Sequence, residues 1–172
     1  TYYTNNSCSS GATTTAPTNV GNYYVKATTA QTTNLNAGAS GCVAHTISKG
    51  TPTISLSAKS TEATGSAITA NAASAKNPNG SSVSLSYTYT YYTNNTCTTG
   101  ATTTAPSAVG NYYVKATSAA TTNLNAGASS CVAHTISKNT NNNLSSLSVS
   151  GYSINPTFAA GTLEYTLALE AK

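Results

Sequence analysis

The chain of 172 residues has no Arg, Asp, Met or Trp, and only 6% of its residues are charged. Its seven Lys are isolated, so they form no basic patch that could neutralise phosphates, and without Arg there is no bidentate reading of guanine. Its three acidic residues, all Glu, are too few for a carboxylate cluster. These shortages predict no nucleic-acid partner, no metal site, no cofactor and no two-carboxylate glycoside chemistry.

Long apolar runs are also missing. No stretch approaches the roughly 18 consecutive apolar residues of a membrane span, so we expect no membrane insertion. The chain instead contains 12 Tyr, together with Val, Ile, Leu and Thr in short alternating runs. This is the composition of half-buried pleated strands, and it predicts an all-β protein.

The main signal is a tandem repeat with an offset of 89 residues. Residues 1–49 and 90–138 match at 41 of 49 positions and differ at eight, which are positions 7, 9, 10, 18, 19, 29, 31 and 41. A period of this length exceeds a solenoid unit and is close to the roughly 100 residues of one β-sandwich domain. Each period is therefore predicted to be a domain.

Alternation and turn residues predict about seven strands in the complete copy, residues 50–138. In the first of them, residues 52–58, Pro52, Ile54, Leu56 and Ala58 share one face. The other predicted elements are a strand at 67–70, a turn at 77–80, a bent strand or strand pair at 81–92, and strands at 110–117 and 131–137. Short strands separated by turns predict a sandwich.

Two segments carry a family resemblance. Residues 109–117 read Val-Gly-Asn-Tyr-Tyr-Val-Lys-Ala-Thr and are followed by Thr-Thr-Asn-Leu-Asn at 121–125. This pattern resembles the G-x-Y-x-V-x-A signature of bacterial immunoglobulin-like repeats in large surface and adhesin-type proteins. Residues 144–158, with Glu164, Tyr165 and Thr166, are similar to the opening of cadherin-like β-sandwich modules of bacterial surface proteins. Both resemblances imply structural or binding modules without a catalytic set.

The patterns together predict four parts. Residues 1–49 are the C-terminal part of an immunoglobulin-like repeat whose opening strands are missing or supplied in trans, and residues 50–138 are a complete repeat. Residues 139–143 are a polar linker, and residues 144–172 begin a cadherin-like β-sandwich. Two explanations of the incomplete ends stay open: a window on a longer repetitive protein, or strand donation between chains that builds a head-to-tail filament.

The four cysteines form two pairs with the same spacing of 34 residues, one pair in each repeat. This arrangement predicts the disulfides Cys8–Cys42 and Cys97–Cys131 and an oxidising compartment. Free buried thiols are one alternative. A zinc site is another, but it has only three candidate ligands in the second repeat and no C-x-x-C motif.

His45 and His134 occupy the same strand position in the two repeats. A Ser-His-Asp triad needs an orienting acid, and the chain has neither Asp nor a G-x-S-x-G motif. We therefore expect both histidines to pack in the structure. We predict no catalytic residue and no enzyme activity.

Four asparagines match the N-glycosylation sequon, with ordinary turn chemistry as the alternative interpretation: Asn5, Asn79, Asn94 and Asn143. Tyrosines also occur as adjacent pairs, which predicts one inward and one outward ring per pair. These pairs are Tyr2-Tyr3, Tyr23-Tyr24, Tyr91-Tyr92 and Tyr112-Tyr113. The outward rings could bind sugars or pair across strands.

The sequence as a whole predicts tandem immunoglobulin-like β-sandwiches in an extracellular or cell-surface protein. The expected function is structural, as a stalk or fibre segment of a bacterial surface adhesin or extracellular filament. Its expected partners are neighbouring repeats or copies of itself. The alternative is a carbohydrate- or protein-binding adhesion module that uses exposed Tyr and Asn for host or surface glycans.

Overall fold

The computed structural model describes residues 1–140, 144–162 and 164–168. In chain order its strands are β1 (Tyr2–Tyr3), β2 (Gly21–Val25), β3 (Thr28–Thr29), β4 (Gly38–Ala39), β5 (Val43–Ile47), β6 (Thr53–Ser55), β7 (Lys59–Glu62), β8 (Ser74–Lys76), β9 (Ser82–Val83), β10 (Thr88–Tyr92), β11 (Gly110–Ser118), β12 (Gly127–Ala128), β13 (Val132–Ser137), β14 (Ser153–Asn155) and β15 (Thr166–Ala168). All regular elements in these ranges are strands, so the predicted all-β class is confirmed. The described residues include no helix that could span a membrane.

The second repeat contains a main sheet with the strand order β10-β11-β13-β7, and β12 pairs with β11 beside it. β10 and β13 both run antiparallel to β11, whereas β7 pairs in parallel with β13. The register places Tyr91 opposite Val114, and Tyr112 opposite His134. Because side chains alternate along a strand, these residues share one face with Ala116 and Ile136.

A second sheet of β6, β8 and β9, called here the covering sheet, lies over that face. Its Ile54 and Ala75 form a buried cluster with Ala116 of the main sheet, and Leu56 and Val83 pack against the cluster. Ala116 is 0% exposed and Val114 is 1% exposed. The core of the second repeat therefore lies between two facing sheets, where apolar burial supplies most of the stabilisation.

Two details of the predicted strands are wrong. Residues 67–70 form no strand: Ile68 is buried, and its N–H donates to the carbonyl of Pro106 at 2.9 Å instead of to a neighbouring strand. The first strand ends at Ser55, and an additional strand, β7, follows it. The residues of β7 are Lys-Ser-Thr-Glu, which carry no apolar alternation, so its strand character depends on pairing with β13.

The first repeat contains the sheet β1-β2-β5 and the short pair β3-β4. Its register matches that of the second repeat, with Tyr23 opposite His45 where Tyr112 lies opposite His134. Strands equivalent to the covering sheet are not among the described residues of this repeat. On the equivalent face Ala27 and Val43 are exposed, whereas Val25, His45 and Ile47 are half-buried.

The remaining described strands form a small separate hairpin. β14 and β15 pair antiparallel, and the rings of Phe158 and Tyr165 stack with centroids 6.1 Å apart. The Tyr165 hydroxyl donates to the carbonyl of Ala159 at 2.9 Å. The side chains of Leu144 and Leu167 are exposed, so this hairpin buries little apolar surface.

Identical residues of the two repeats should respond differently to the same substitution. Ala116→Lys would place an ammonium group between the two sheets, and we expect it to destabilise the second repeat by at least about 3 kcal/mol. Ala27→Lys affects the equivalent but exposed position, so its effect should stay within about 0.5 kcal/mol. Urea unfolding followed through NMR signals of β13 and β5 measures both effects, and equal destabilisation by the two substitutions would show that the covering sheet is irrelevant.

Candidate functional site

Each repeat contains one disulfide. Cys8 bonds to Cys42 with their Cα atoms 5.8 Å apart, and Cys97 bonds to Cys131 at 5.9 Å. These are the pairs that the repeat spacing predicts, and no described cysteine is free. Two disulfides in a chain of this size fit an oxidising environment.

The loop before each disulfide is organised by one asparagine. The Asn94 Oδ1 atom accepts from the N–H groups of Thr98 and Thr99 at 3.0 and 3.1 Å, and its Nδ2 group donates to the hydroxyls of Thr96 and Thr98. This network holds Cys97 at a φ of 53°, a left-handed conformation that non-Gly residues rarely adopt. Asn5 makes the same contacts before Cys8.

The predicted glycosylation sites differ in how their amide groups are used. The Nδ2 groups of Asn5 and Asn94 donate within the loops, so a glycan on either nitrogen would displace a loop contact. Asn79 is exposed in the turn of residues 77–80, and its Oδ1 atom accepts from Ser81. Asn143 lies outside the described residues.

His134 lies at the centre of the second repeat and is 0% exposed. Its ring packs edge-on against Tyr91 with centroids 5.3 Å apart, and neither ring nitrogen has a hydrogen-bond partner among the described residues. Burial lowers the pKa of His134 below its ordinary value of 6.5; a backbone contact at Ile68 raises it, and the positive charge of Lys59 lowers it further. The lowered pKa favours the neutral imidazole, and the ring packs against Tyr91 in the core.

The lowered pKa of His134 predicts that the second repeat loses stability in mild acid. Below about pH 6.5 the unfolded chain binds a proton that the folded repeat accepts only at lower pH, so protonation favours unfolding. The stabilisation is complete above the unfolded pKa and is lost as the pH falls through the folded pKa. Urea unfolding from about pH 8 to pH 4.5 should show this loss, and His134→Leu should remove it.

The matched control for this prediction is His45→Leu in the first repeat. His45 keeps the edge-on contact with a tyrosine, here Tyr2 at 5.6 Å, but it is only half-buried. The second repeat of the His45→Leu variant should keep the full acid dependence. An unchanged acid dependence in His134→Leu would contradict the assignment.

The described residues contain no group of three or more His, Cys, Asp or Glu side chains that could hold a metal ion. The structure brings Cys131 and Cys97 together as a disulfide, so the alternative zinc set has no thiolate to offer. His134 is buried behind the covering sheet and reaches no solvent. Among the described residues, the boundary between the two repeats has directed hydrogen bonds from both sides.

The loop of residues 121–125, called here the joint loop, connects the second repeat to the first. Asn123 accepts from the N–H of Val20 at 2.9 Å through Oδ1 and donates to Oδ1 of Asn19 at 3.0 Å through Nδ2. The ammonium group of Lys49 donates to the carbonyl of Thr121 at 2.7 Å. One loop thus binds the end of the preceding repeat at several points.

Gly50 lies at the middle of this boundary. Its N–H donates to the carbonyl of Asn123 at 3.1 Å, and its carbonyl accepts from the N–H of Asn125 at 2.8 Å. A Cβ atom at Gly50 would lie 2.7 Å from the Pro78 ring, so glycine is needed for this close approach. Leu124 packs over the same place and is 7% exposed.

The first repeat carries an identical loop without a partner for its leucine. In residues 32–36 the Thr32 N–H donates to the carbonyl of Leu35 at 2.8 Å, as Thr121 does to Leu124 at 2.9 Å. The loop therefore keeps its conformation, but Leu35 is 71% exposed. The sequence alone did not predict the contacts of the joint loop. One of its partners, Asn19, is among the eight positions that differ between the repeats, since the second repeat has Ala108 there.

Removing the joint contacts should open the boundary to protease. Asn123→Ala deletes the hydrogen bonds to Asn19 and Val20, and we expect trypsin to cleave after Lys49 several-fold faster, since cleavage needs local opening. Asn34→Ala, the same change in the first repeat, should leave that rate unchanged. Equal rates in the two variants and the unaltered protein would contradict a role for Asn123 in the joint.

The tyrosine pairs follow the predicted alternation. On the outer face of the sheets Tyr92 lies directly opposite Tyr113, and Tyr3 lies opposite Tyr24, so these rings form cross-strand pairs. An open groove of about 340 Å³ lies beside the pair in the second repeat, lined by Tyr92, Tyr112 and Pro106 among others. Of these two tyrosines, Tyr92 belongs to the outer face, whereas Tyr112 lies on the inner face opposite His134.

Comparisons with protein-family models, with curated proteins and with solved structures found no match.

Proposed function

We propose that the protein is a structural repeat module, a stalk or fibre segment of a bacterial surface adhesin or extracellular filament. In this proposal residues 1–49 are the C-terminal part of an immunoglobulin-like β-sandwich repeat, and residues 50–138 are a complete repeat. Residues 139–143 are a linker, and residues 144–172 begin a cadherin-like sandwich. Neighbouring repeats, or copies of the chain, are the partners.

The observation that supports this proposal is the set of contacts that the joint loop makes with the first repeat. Asn123 bonds to Asn19 and Val20 of the first repeat, and Lys49 of the first repeat bonds to the carbonyl of Thr121. Gly50, the first residue of the second repeat, bonds to the same loop. A chain of domains joined only by a flexible linker would not need such contacts. Contacts of this kind fix the direction in which one repeat follows another, as an extended stalk requires.

The surface chemistry supports the same function. Charged residues make up 6% of the chain, and exposed strand positions are filled mostly by Thr, Ser and Asn. With little net repulsion, copies of such a module can lie side by side. The scarcity of Lys and the absence of Arg leave few sites for trypsin-like proteases, and the disulfides fit an extracellular location.

A mechanical role predicts that each disulfide limits extension under force. When the chain is pulled from its two ends, the Cys97–Cys131 bond keeps the 34 intervening peptide units from extending. Cys97→Ala combined with Cys131→Ala should lengthen the fully extended chain by about 110 Å, since each unit spans at most about 3.5 Å and the bonded pair already spans 5.9 Å. Single-molecule force spectroscopy in non-reducing buffer measures this gain.

The matched control is the same double substitution in the first repeat, Cys8→Ala with Cys42→Ala. Its bond has the same sequence separation of 34, so the gain in length should be equal. A gain in length without any force-resistant step in the unaltered protein would contradict a mechanical role.

The alternative function is an adhesion module that binds carbohydrate or protein, and the groove beside Tyr92 and Tyr112 favours it. Aromatic rings at the edge of a concave surface can stack on sugar rings. Binding on a glycan array that is lost in Tyr92→Ala, but kept in the equivalent Tyr3→Ala, would support this alternative over the stalk.

A further inference from the structure

The eight differences between the repeats are of two kinds. Five of them exchange Ser and Thr, and the other three are Asn19 against Ala108, Gln31 against Ala120, and Gly41 against Ser130. Asn19 takes part in the hydrogen bonds between the repeats, because its Oδ1 atom accepts from Nδ2 of Asn123 at 3.0 Å. One of the few large differences between the repeats therefore lies at their boundary.

The backbone around this position is held in the same way in both repeats. The Tyr23 hydroxyl donates to the carbonyl of Asn19 at 3.0 Å, and the Tyr112 hydroxyl donates to the carbonyl of Ala108 at 3.2 Å. Lys138, the counterpart of Lys49, is exposed as Lys49 is. The end of the second repeat therefore repeats the backbone and the lysine that bind the joint loop, but it has no amide side chain in the place of Asn19.

We infer that this position selects the module that follows a repeat. The amide of Asn19 makes the first repeat specific for a following repeat of the same kind, and Ala108 makes the second repeat a poor neighbour for a further copy. The inference rests on the proposed stalk function and deepens it, since it assigns the order of the modules to particular side chains.

The hydrogen bonds of Asn123 explain why the side chain matters. Asn123 uses both ends of its amide, accepting from the N–H of Val20 at 2.9 Å and donating to Asn19. Against the second repeat, a joint loop could keep only the first of these bonds, with the N–H of Val109. Its Nδ2 group would lose water on docking without gaining the oxygen of Asn19, which makes docking less favourable.

The path of the chain after each lysine differs in the same sense. Lys49 is followed by Gly50 and Thr51, and the Thr51 hydroxyl accepts from Nδ2 of Asn125 in the joint loop at 3.1 Å. The chain thus enters the following repeat at once. After Lys138 the hydroxyl of Thr140 instead donates to Oε1 of Glu62 at 3.1 Å.

Glu62 belongs to β7, so the segment after Lys138 binds the repeat that it leaves. Asn139 stands where the first repeat is followed by Gly50, and a Cβ at Gly50 would lie 2.7 Å from the Pro78 ring. The residues after the second repeat therefore differ from a repeat-to-repeat connection at the same place where the side chain of Asn19 is missing.

The test uses the full chain with a further copy of residues 50–138 inserted after Lys138. Both boundaries then read His-Thr-Ile-Ser-Lys followed by Gly-Thr-Pro, so trypsin meets the same sequence after Lys49 and after Lys138. Mass spectrometry without reduction separates the two products by size, and it shows whether all cysteines of the inserted copy are oxidised.

In this extended chain Ala108→Asn should slow cleavage after Lys138 about fivefold, the size expected for one hydrogen bond that must break before cleavage. Ser107→Thr is the matched control. It also restores the residue of the first repeat, at the neighbouring position, but it adds no amide and should leave the rate unchanged. Cleavage after Lys49 in the same molecules is the internal reference and should not change.

The unaltered 172-residue chain provides the reverse experiment, which decides the inference even if the inserted copy fails to fold. Asn19→Ala should speed cleavage after Lys49 about fivefold. Asn19→Ala combined with Asn123→Ala should be no faster than Asn123→Ala alone, because Asn123→Ala already removes the shared bond.

Three results would overturn the inference: no slowing by Ala108→Asn in a folded extended chain, equal slowing by Ser107→Thr, or additive effects of Asn19→Ala and Asn123→Ala. These rates do not depend on extension under force. The stalk proposal therefore stands or falls separately, by the force measurement.

Discussion

The structure depends on the burial of one sheet face by another. In the second repeat the covering sheet packs on Ala116 of the main sheet. The largest fully buried side chains among the described residues, Ile136, His134 and Val114, lie on the same face of the main sheet. The same repeat contains the parallel strand β7, the buried Ile68 and His134, whose pKa is lowered by burial. Among the described residues the first repeat has the same central strands and no covering sheet, and its Ala27 and Val43 are exposed.

Local interactions explain how a sheet without a cover keeps its register. The asparagine-centred loops and the disulfides are the same in both repeats, and they involve residues close to the strand ends. A disulfide that closes a loop of about 35 residues stabilises the folded state by about 4 kcal/mol through the unfolded chain, in the entropy model. These loops and disulfides stabilise both repeats, and in the second repeat the covering sheet adds the buried apolar cluster. The joint loop, residues 121–125, then attaches the second repeat to the first.

Much of this could be predicted from the sequence, and the failures have physical reasons. The all-β class, the cysteine pairing and the alternation at Pro52, Ile54 and Leu56 follow from short-range patterns. The strand β7 could not be predicted, because its Lys-Ser-Thr-Glu residues owe their conformation to pairing with a strand more than 70 residues away. The contacts of the joint loop were missed for a similar reason. Its residues are ordinary turn residues in the sequence, and only the folded chain brings Asn19, Lys49 and Gly50 to them.

The central claim is that the cover, and not the sequence of the central strands, sets the stability of each repeat. Native-state amide hydrogen exchange of the 172-residue chain tests it directly, because β2 and β5 have identical counterparts in β11 and β13. The account predicts that amides of Val114 and His134 exchange at least about a hundredfold more slowly than those of Val25 and His45. Equal protection at these matched positions would contradict it.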